Sequence, residues 1–135
     1  MKIIFADALY WIALINPKDQ WHGRVRKRAR SLGQAHLVTT QEVLTEVLNF
    51  YAEGGHSWRT AAASGVRAIM ANPSVEVLPG THKSFLDGLA LYESRLDKGY
   101  SLTDCVSMLA MRERGVAEVL THDHHFEQEG FTVLL

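Results

Sequence analysis

The sequence predicts an α/β fold: a three-layer α/β/α sandwich built on a central parallel sheet. Three observations carry this expectation. Short apolar runs of strand length alternate with longer segments whose apolar residues recur at helical spacing. Gly, Pro-Gly and Asn-Pro breakers fall between them and keep the connections short. No repeat, low-complexity tract or linker interrupts the 135 residues, so one domain, 1–135, is expected. Strands that alternate with helices form parallel sheets covered on both faces, with right-handed crossovers.

Each element has its own justification. Residues 2–6 read as a short buried strand. Residues 8–15 read as a helix stopped by Asn16-Pro17, because proline disfavours helical geometry in the residue before it. A second helix is expected over 18–32, where Trp21, Val25, Ala29 and Leu32 form an apolar stripe. Its basic residues lie off that stripe, in solvent. A strand from His36 to Val38 runs into Thr39-Thr40, and a helix over 41–53 ends at Gly54-Gly55. A helix over 57–71 ends at Asn72-Pro73, and a strand over 75–78 is closed by Pro79-Gly80. Helices over 82–97 and 102–114 end at Lys98-Gly99 and Gly115. Strands over 118–120 and 131–134 complete the sheet.

Composition bounds the function. With 47% hydrophobic and 21% charged residues the chain reads as a soluble globular domain. One cysteine, Cys105, excludes a disulfide within the chain and suits a reducing compartment. The opening apolar run reaches Asp7 too soon for a secretory signal, and no stretch could span a bilayer. A cytoplasmic location is the default expectation. The net charge is −1, yet five of the seven residues from 24 to 30 are basic: Arg24, Arg26, Lys27, Arg28 and Arg30. That stretch is either a solvated helix face or a phosphate-binding surface.

In parallel sheets ligands bind outside the carboxyl ends of the strands, and acids stand there. Asp7 follows the first strand, Asp123 follows the fourth in Thr121-His122-Asp123, and Asp104 lies in the first turn of the helix beginning near Leu102. Glu46 lies inside a helix whose apolar arc is Phe50, Val43, Val47, Tyr51, Leu44 and Leu48, just beyond the Phe50 edge. Each acid also has a plainer role open to it. Ser101 and Asp104 match a capping box, Asp7 is placed to cap the helix after it, Asp123 suits a turn, and Glu46 is a helix-surface acid.

Together these segments resemble the four motifs of PIN domains. Phe5-Ala6-Asp7-Ala8 resembles their opening, a hydrophobic strand closed by aspartate and a small residue. The run from Thr39 to Leu48 resembles the second motif with Glu46 in its acidic position, and Leu102-Thr103-Asp104-Cys105 the third. Val119 to Phe126, followed by Gly130-Phe131, resembles the fourth. The length and bare domain look most like the VapC-type toxins of toxin–antitoxin pairs. The resemblance implies an endoribonuclease dependent on one or two Mg²⁺ or Mn²⁺ ions, with Asp7, Glu46, Asp104 and Asp123 as metal ligands and catalytic groups. It also implies a single-stranded or loop RNA substrate, a protein antitoxin and a homodimer, with no membrane. One departure stands out: many relatives carry an acid two positions after the last aspartate, and here that residue is His125. A histidine there can touch a metal-bound water or a phosphate, or it can weaken a second metal site, and Thr121 is placed to hydrogen-bond a ligating carboxylate or water.

The chemistry agrees with the grouping. Clustered carboxylates repel one another and stay partly protonated unless a hard cation joins them. Histidines 122, 124 and 125 lack a His or Cys partner at structural-zinc spacing. Cys105, Trp11, Trp21 and Trp58 read as core or interface. Walker A, dinucleotide and nucleophile-elbow motifs are missing, and a dehalogenase-like phosphatase would need an Asp where Leu9 stands. The rival expectations are a non-catalytic RNA-binding module with a degenerate site and a small-molecule phosphoesterase.

Overall fold

The computed structural model describes residues 1–135. The order is β1 (Ile3–Ala6), α1 (Ala8–Ile15), α2 (His22–Ser31), β2 (His36–Thr40), α3 (Gln41–Phe50), α4 (His56–Ala71), β3 (Val75–Leu78), α5 (His82–Ser94), α6 (Leu102–Arg114), β4 (Glu118–Leu120), α7 (His125–Gln128) and β5 (Thr132–Val133). The five strands form one sheet in the order β3-β2-β1-β4-β5, and every pairing is parallel. The chain moves from β1 outward to β3, then returns to the other side of β1. Right-handed crossovers therefore put α1–α4 on one face and α5–α7 on the other. The contacts agree: α1 packs on α2, α3 and α4, while α5 packs on α6. The result is the expected three-layer sandwich. No helix is long and apolar enough to cross a membrane.

The strands bury Ile4, Phe5, Ala6, Val38, Val119 and Leu120 together with Val43, Val47, Met108 and Met111 from the helices. The direction reversal leaves a crevice at the carboxyl ends of β1 and β4, where Ala6 pairs with Leu120. Asp7 and Thr121 emerge there side by side.

Several boundaries differ from the sequence expectations, each for a local reason. The second helix starts at His22, not near residue 18. Asn16 Oδ1 accepts from the Lys18 amide at 2.9 Å and Asp19 Oδ1 from the Trp21 amide at 2.8 Å, so side-chain turns hold this stretch out of the helix. The helix expected over 41–53 ends at Phe50. Its buried arc is narrower than the apolar pattern: Val43, Leu44 and Val47 are buried, whereas Leu48 and Phe50 are exposed and Phe50 packs edge-on against Tyr51. The helix expected to reach 97 stops at Ser94. Arg95 leaves helical geometry where its Nε donates to Glu129 at 2.9 Å. Strand β5 is shorter than 131–134, and the turn α7 was not expected at all.

Gly88 sets the distance between α5 and α6. A Cβ there would lie 2.7 Å from Val106 Cγ2 and 3.4 Å from Leu102 Cδ1, and both neighbours belong to the turns of α6 that carry Asp104. Gly88→Ala is therefore expected to destabilise the chain by roughly 1–3 kcal/mol from overpacking, less the gain of up to about 1 kcal/mol that alanine brings to a helix. Urea unfolding measures it. A variant as stable as wild type would show that α5 and α6 separate freely.

Candidate metal centre

Asp7 caps β1 and precedes α1, yet its side chain makes no capping bond to that helix. Instead Oδ2 accepts from Thr121 Oγ1 at 3.0 Å, and Thr121 Oγ1 in turn accepts from the Asp123 amide at 3.1 Å. One buried hydroxyl thus ties the ends of β1 and β4 together. Asp7 is only 7% exposed. Burial pushes its pKa from 3.8 up to about 7; the charges of Asp104 and Glu46 add to this, and the Thr121 hydroxyl opposes it.

Asp104 does form the capping box expected of it. Its amide donates to Ser101 Oγ and its Oδ2 accepts from the Ser101 amide, both at 3.0 Å. The box orients the carboxylate rather than consuming it, since Oδ1 stays free of that pair. Its pKa is raised, by burial first and also by Asp123, against the Ser101 backbone bond. Glu46 stands on the exposed side of α3, which also touches α6. Its carboxyl is raised by local desolvation and then by the charges of Asp104 and Asp123. Asp104 thus acts on Asp7 and Glu46, and Asp123 on Glu46 and Asp104, although the four are drawn from the end of β1, α3, α6 and the end of β4.

Asp123 serves a turn as well: its Oδ1 accepts from the His125 amide at 3.0 Å and so starts α7. That turn swings His125 back over the acids. His125 Nδ1 lies 3.2 Å from Asp123 Oδ1 and 3.7 Å from Asp104 Oδ2. Asp104, Asp123 and His125 each offer a donor atom within 4.8 Å of the others, the spacing of ligands around one ion. Asp7 and Glu46 stand outside this tight group and are tied to it by charge, since Asp104 raises the carboxyls of both. A divalent cation fits the residues present: the donors are hard oxygens, three of the four acids are held off their ordinary pKa, and a buried nitrogen beside them lacks a hydrogen-bond partner.

The other histidines go elsewhere. His122 stacks on Trp21 at 4.2 Å between ring centroids, and His124 contacts Glu127. The Arg24 guanidinium also lies over the Trp21 ring, 4.9 Å from its centroid, so Trp21 links Arg24 of the basic helix to His122, the residue before Asp123. Arg24, Lys27 and Arg28 also line a groove of about 300 Å³ with Ser31, Leu134 and Leu135. Cys105 is buried in the core and Trp11 donates to Thr39 Oγ1.

One residue near the centre escaped sequence reasoning. Glu129 is nearly buried and accepts from Arg95, Arg112 and Tyr100. The Arg95 bond foremost holds its carboxyl down to about 2. It clamps the segment after α7 onto α5 and α6. A lone Glu before Gly130 carries no signal for this.

A crevice at the ends of parallel strands, lined by acids from four separate elements, defines a metal-dependent nuclease fold class. The chain belongs to the PIN domain family, whose model matches residues 4–131. Among curated proteins it is similar to the 23S rRNA-specific endonuclease VapC20 of Mycobacterium tuberculosis, 26% identical over 129 residues, covering 96% of this chain and 95% of the relative. The crystal structure of that Mycobacterium tuberculosis protein, described as a sarcin–ricin loop cleaving toxin, superposes with a TM-score of 0.85 at 25% identity over 96% of each chain. VapBC2 from Rickettsia felis, bound to a promoter DNA fragment, shares the fold with a TM-score of 0.65 at 12% identity, over 98% of this chain and 97% of the other.

Proposed function

We propose that the chain, as one unit over residues 1–135, is a divalent-metal-dependent endoribonuclease and the toxin of a toxin–antitoxin pair. The observation that carries this is the gathering of Asp7, Glu46, Asp104 and Asp123 near the carboxyl edge of the sheet, where burial and neighbouring charge raise the carboxyls of Asp7, Glu46 and Asp104. Those four are the metal ligands. When bound, one or two Mg²⁺ or Mn²⁺ ions supply Lewis acidity and a water of lowered pKa for in-line attack on a phosphodiester. The chain's own part is to hold the carboxylates and the strand. Thr121 fixes Asp7 relative to the Asp123 backbone, the Ser101 box fixes Asp104, and the Glu129 clamp fixes the segment after His125.

The RNA backbone lies along Arg24, Arg26, Lys27, Arg28 and Arg30. The Arg24–Trp21–His122 link supports this path because it leads to Asp123. With an RNA substrate, the cytoplasm is the location this reading expects. The name of VapC20 makes 23S rRNA the first substrate to try. An antitoxin and a second copy of the chain are the expected partners, and exposed Phe85, Leu86 and Tyr92 on α5 give them an apolar surface.

The test is incubation of the purified chain with end-labelled RNA, including 23S rRNA, in EDTA, Mg²⁺ or Mn²⁺. Discrete fragments are expected only with metal; intact RNA under all conditions overturns the reading. Expression alone should arrest a bacterial host, and Asp7→Asn should not. Harmless expression of soluble wild-type protein removes the toxin role and leaves the nuclease.

The basic path has its own test. Replacing Arg24, Lys27 and Arg28 together by Gln should flatten the dependence of log affinity on log salt by about 2, as expected for three fewer contacts to single-stranded RNA. Fluorescence anisotropy with Asp7→Asn as the uncleaving background measures it. An unchanged slope returns α2 to a merely solvated face.

A further inference from the structure

We propose that His125 binds the divalent ion directly through Nδ1, giving the centre a mixed oxygen and nitrogen donor set that favours Mn²⁺ over Mg²⁺. This rests on the reading of the acids as a metal centre and adds to it a ligand where many relatives carry an acid.

The geometry suits a ligand: Nδ1 is buried and faces two carboxylates at ion-pair distances of 3.2 and 3.7 Å, yet is not hydrogen-bonded to either. A histidine recruited to neutralise the acids would aim its N–H at one of them. Two donors on adjacent positions of an octahedral ion, with bonds of about 2.1 Å, stand roughly 3 Å apart and about 4.2 Å when opposite. The separations around Nδ1 fall in that range, and all three donor atoms lie within 4.8 Å.

The ring is also held in place beforehand. Its backbone N–H is bound by Asp123 Oδ1, so ligand and neighbouring ligand move as one turn. Tyr100 packs edge-on against it at 5.3 Å and donates to Glu129 at 2.9 Å. Gly99 lies at the other end, where an added Cβ would stand 3.4 Å from Nε2. The ring is one-third exposed, but its buried Nδ1 already faces the carboxylates, so binding asks for little reorientation. Imidazole nitrogen suits transition ions, whereas Mg²⁺ prefers oxygen and retains its waters.

The experiment is pulsed EPR of the Mn²⁺-loaded protein labelled with ¹⁵N-histidine, paired with calorimetry of Mn²⁺ and Mg²⁺ binding. A coupling from a directly bound imidazole nitrogen is expected in wild type, in His122→Ala and in His124→Ala, and its loss in His125→Ala. His125→Ala should weaken Mn²⁺ about tenfold or more, the scale of losing a metal-site contact, and Mg²⁺ far less. His125→Asp should restore tight binding and erase the preference for Mn²⁺, which also guards against a merely unfolded alanine variant. Mn²⁺ bound without a histidine coupling overturns this ligand and leaves the acidic centre standing. Wild type that binds no Mn²⁺ at millimolar concentration overturns both.

Discussion

Asp7→Asn, Glu46→Gln, Asp104→Asn and Asp123→Asn are each expected to lower metal-dependent RNA cleavage at least about a hundredfold, the scale of removing one preorganised charge contact from a transition state. The substitutions isolate charge from shape. An amide oxygen at position 104 still accepts from the Ser101 amide, and one at 123 still accepts from the His125 amide. At position 7 it still accepts from Thr121. The local hydrogen bonds therefore survive, and circular dichroism should be unchanged. What is lost is the negative charge that a hard cation needs. Cleavage of labelled RNA by each variant in Mg²⁺ and in Mn²⁺ decides the matter. Full activity in any one of the four removes that residue from the centre, and full activity in all four leaves the fold without this chemistry.

The legible part of the fold was its framework. Apolar runs ending in Asp7 and Leu120, breakers at Asn16-Pro17 and Asn72-Pro73, and the Ser101–Asp104 box are local signals that packing does not override. The bounds of α1, β3, α6 and β4 follow directly from them. Boundaries failed where side chains competed with the backbone, as Asn16 and Asp19 do before α2. The three acids at element ends were also legible, because strand ends point at the crevice. The histidine was legible only as a departure from a motif. Its approach to Asp104 depends on α7, which is started by a hydrogen bond from its own amide to Asp123 and has no apolar period to announce it. Glu129 and its Arg95 partner are 34 residues apart, and Trp21 and His122 come from opposite ends of the chain. Pairs of that kind have no local signature; the tertiary fold alone brings them together.

Without metal, Asp7 is expected to make the fold less stable as pH rises from about 4 to about 7. Its folded pKa stands near 7 against an ordinary 3.8, so in that window the native state holds a proton that the unfolded chain has released. Stability then falls with rising pH, and the full cost is present above pH 7. A gap of that size corresponds to on the order of 4 kcal/mol. Below about pH 4 both states are protonated and the cost vanishes. Asp7→Asn removes the titration but keeps the Thr121 bond, so the apo variant should melt on the order of 15 °C above apo wild type at pH 8, at roughly 4 °C per kcal/mol for a chain of this length. The two should converge near pH 4. Metal bound only by the native state acts in the opposite direction, adding about 2.7 kcal/mol at a hundredfold excess over the dissociation constant. Wild type should therefore gain melting temperature from Mn²⁺ at pH 8, and Asp7→Asn should lose most of that gain. Thermal unfolding of both proteins at pH 4, 6 and 8, with EDTA and with Mn²⁺, tests each arm. If the apo proteins keep the same difference at every pH, the Asp7 carboxyl does not carry the strain assigned to it. If both proteins rise equally with Mn²⁺, the ion binds without Asp7.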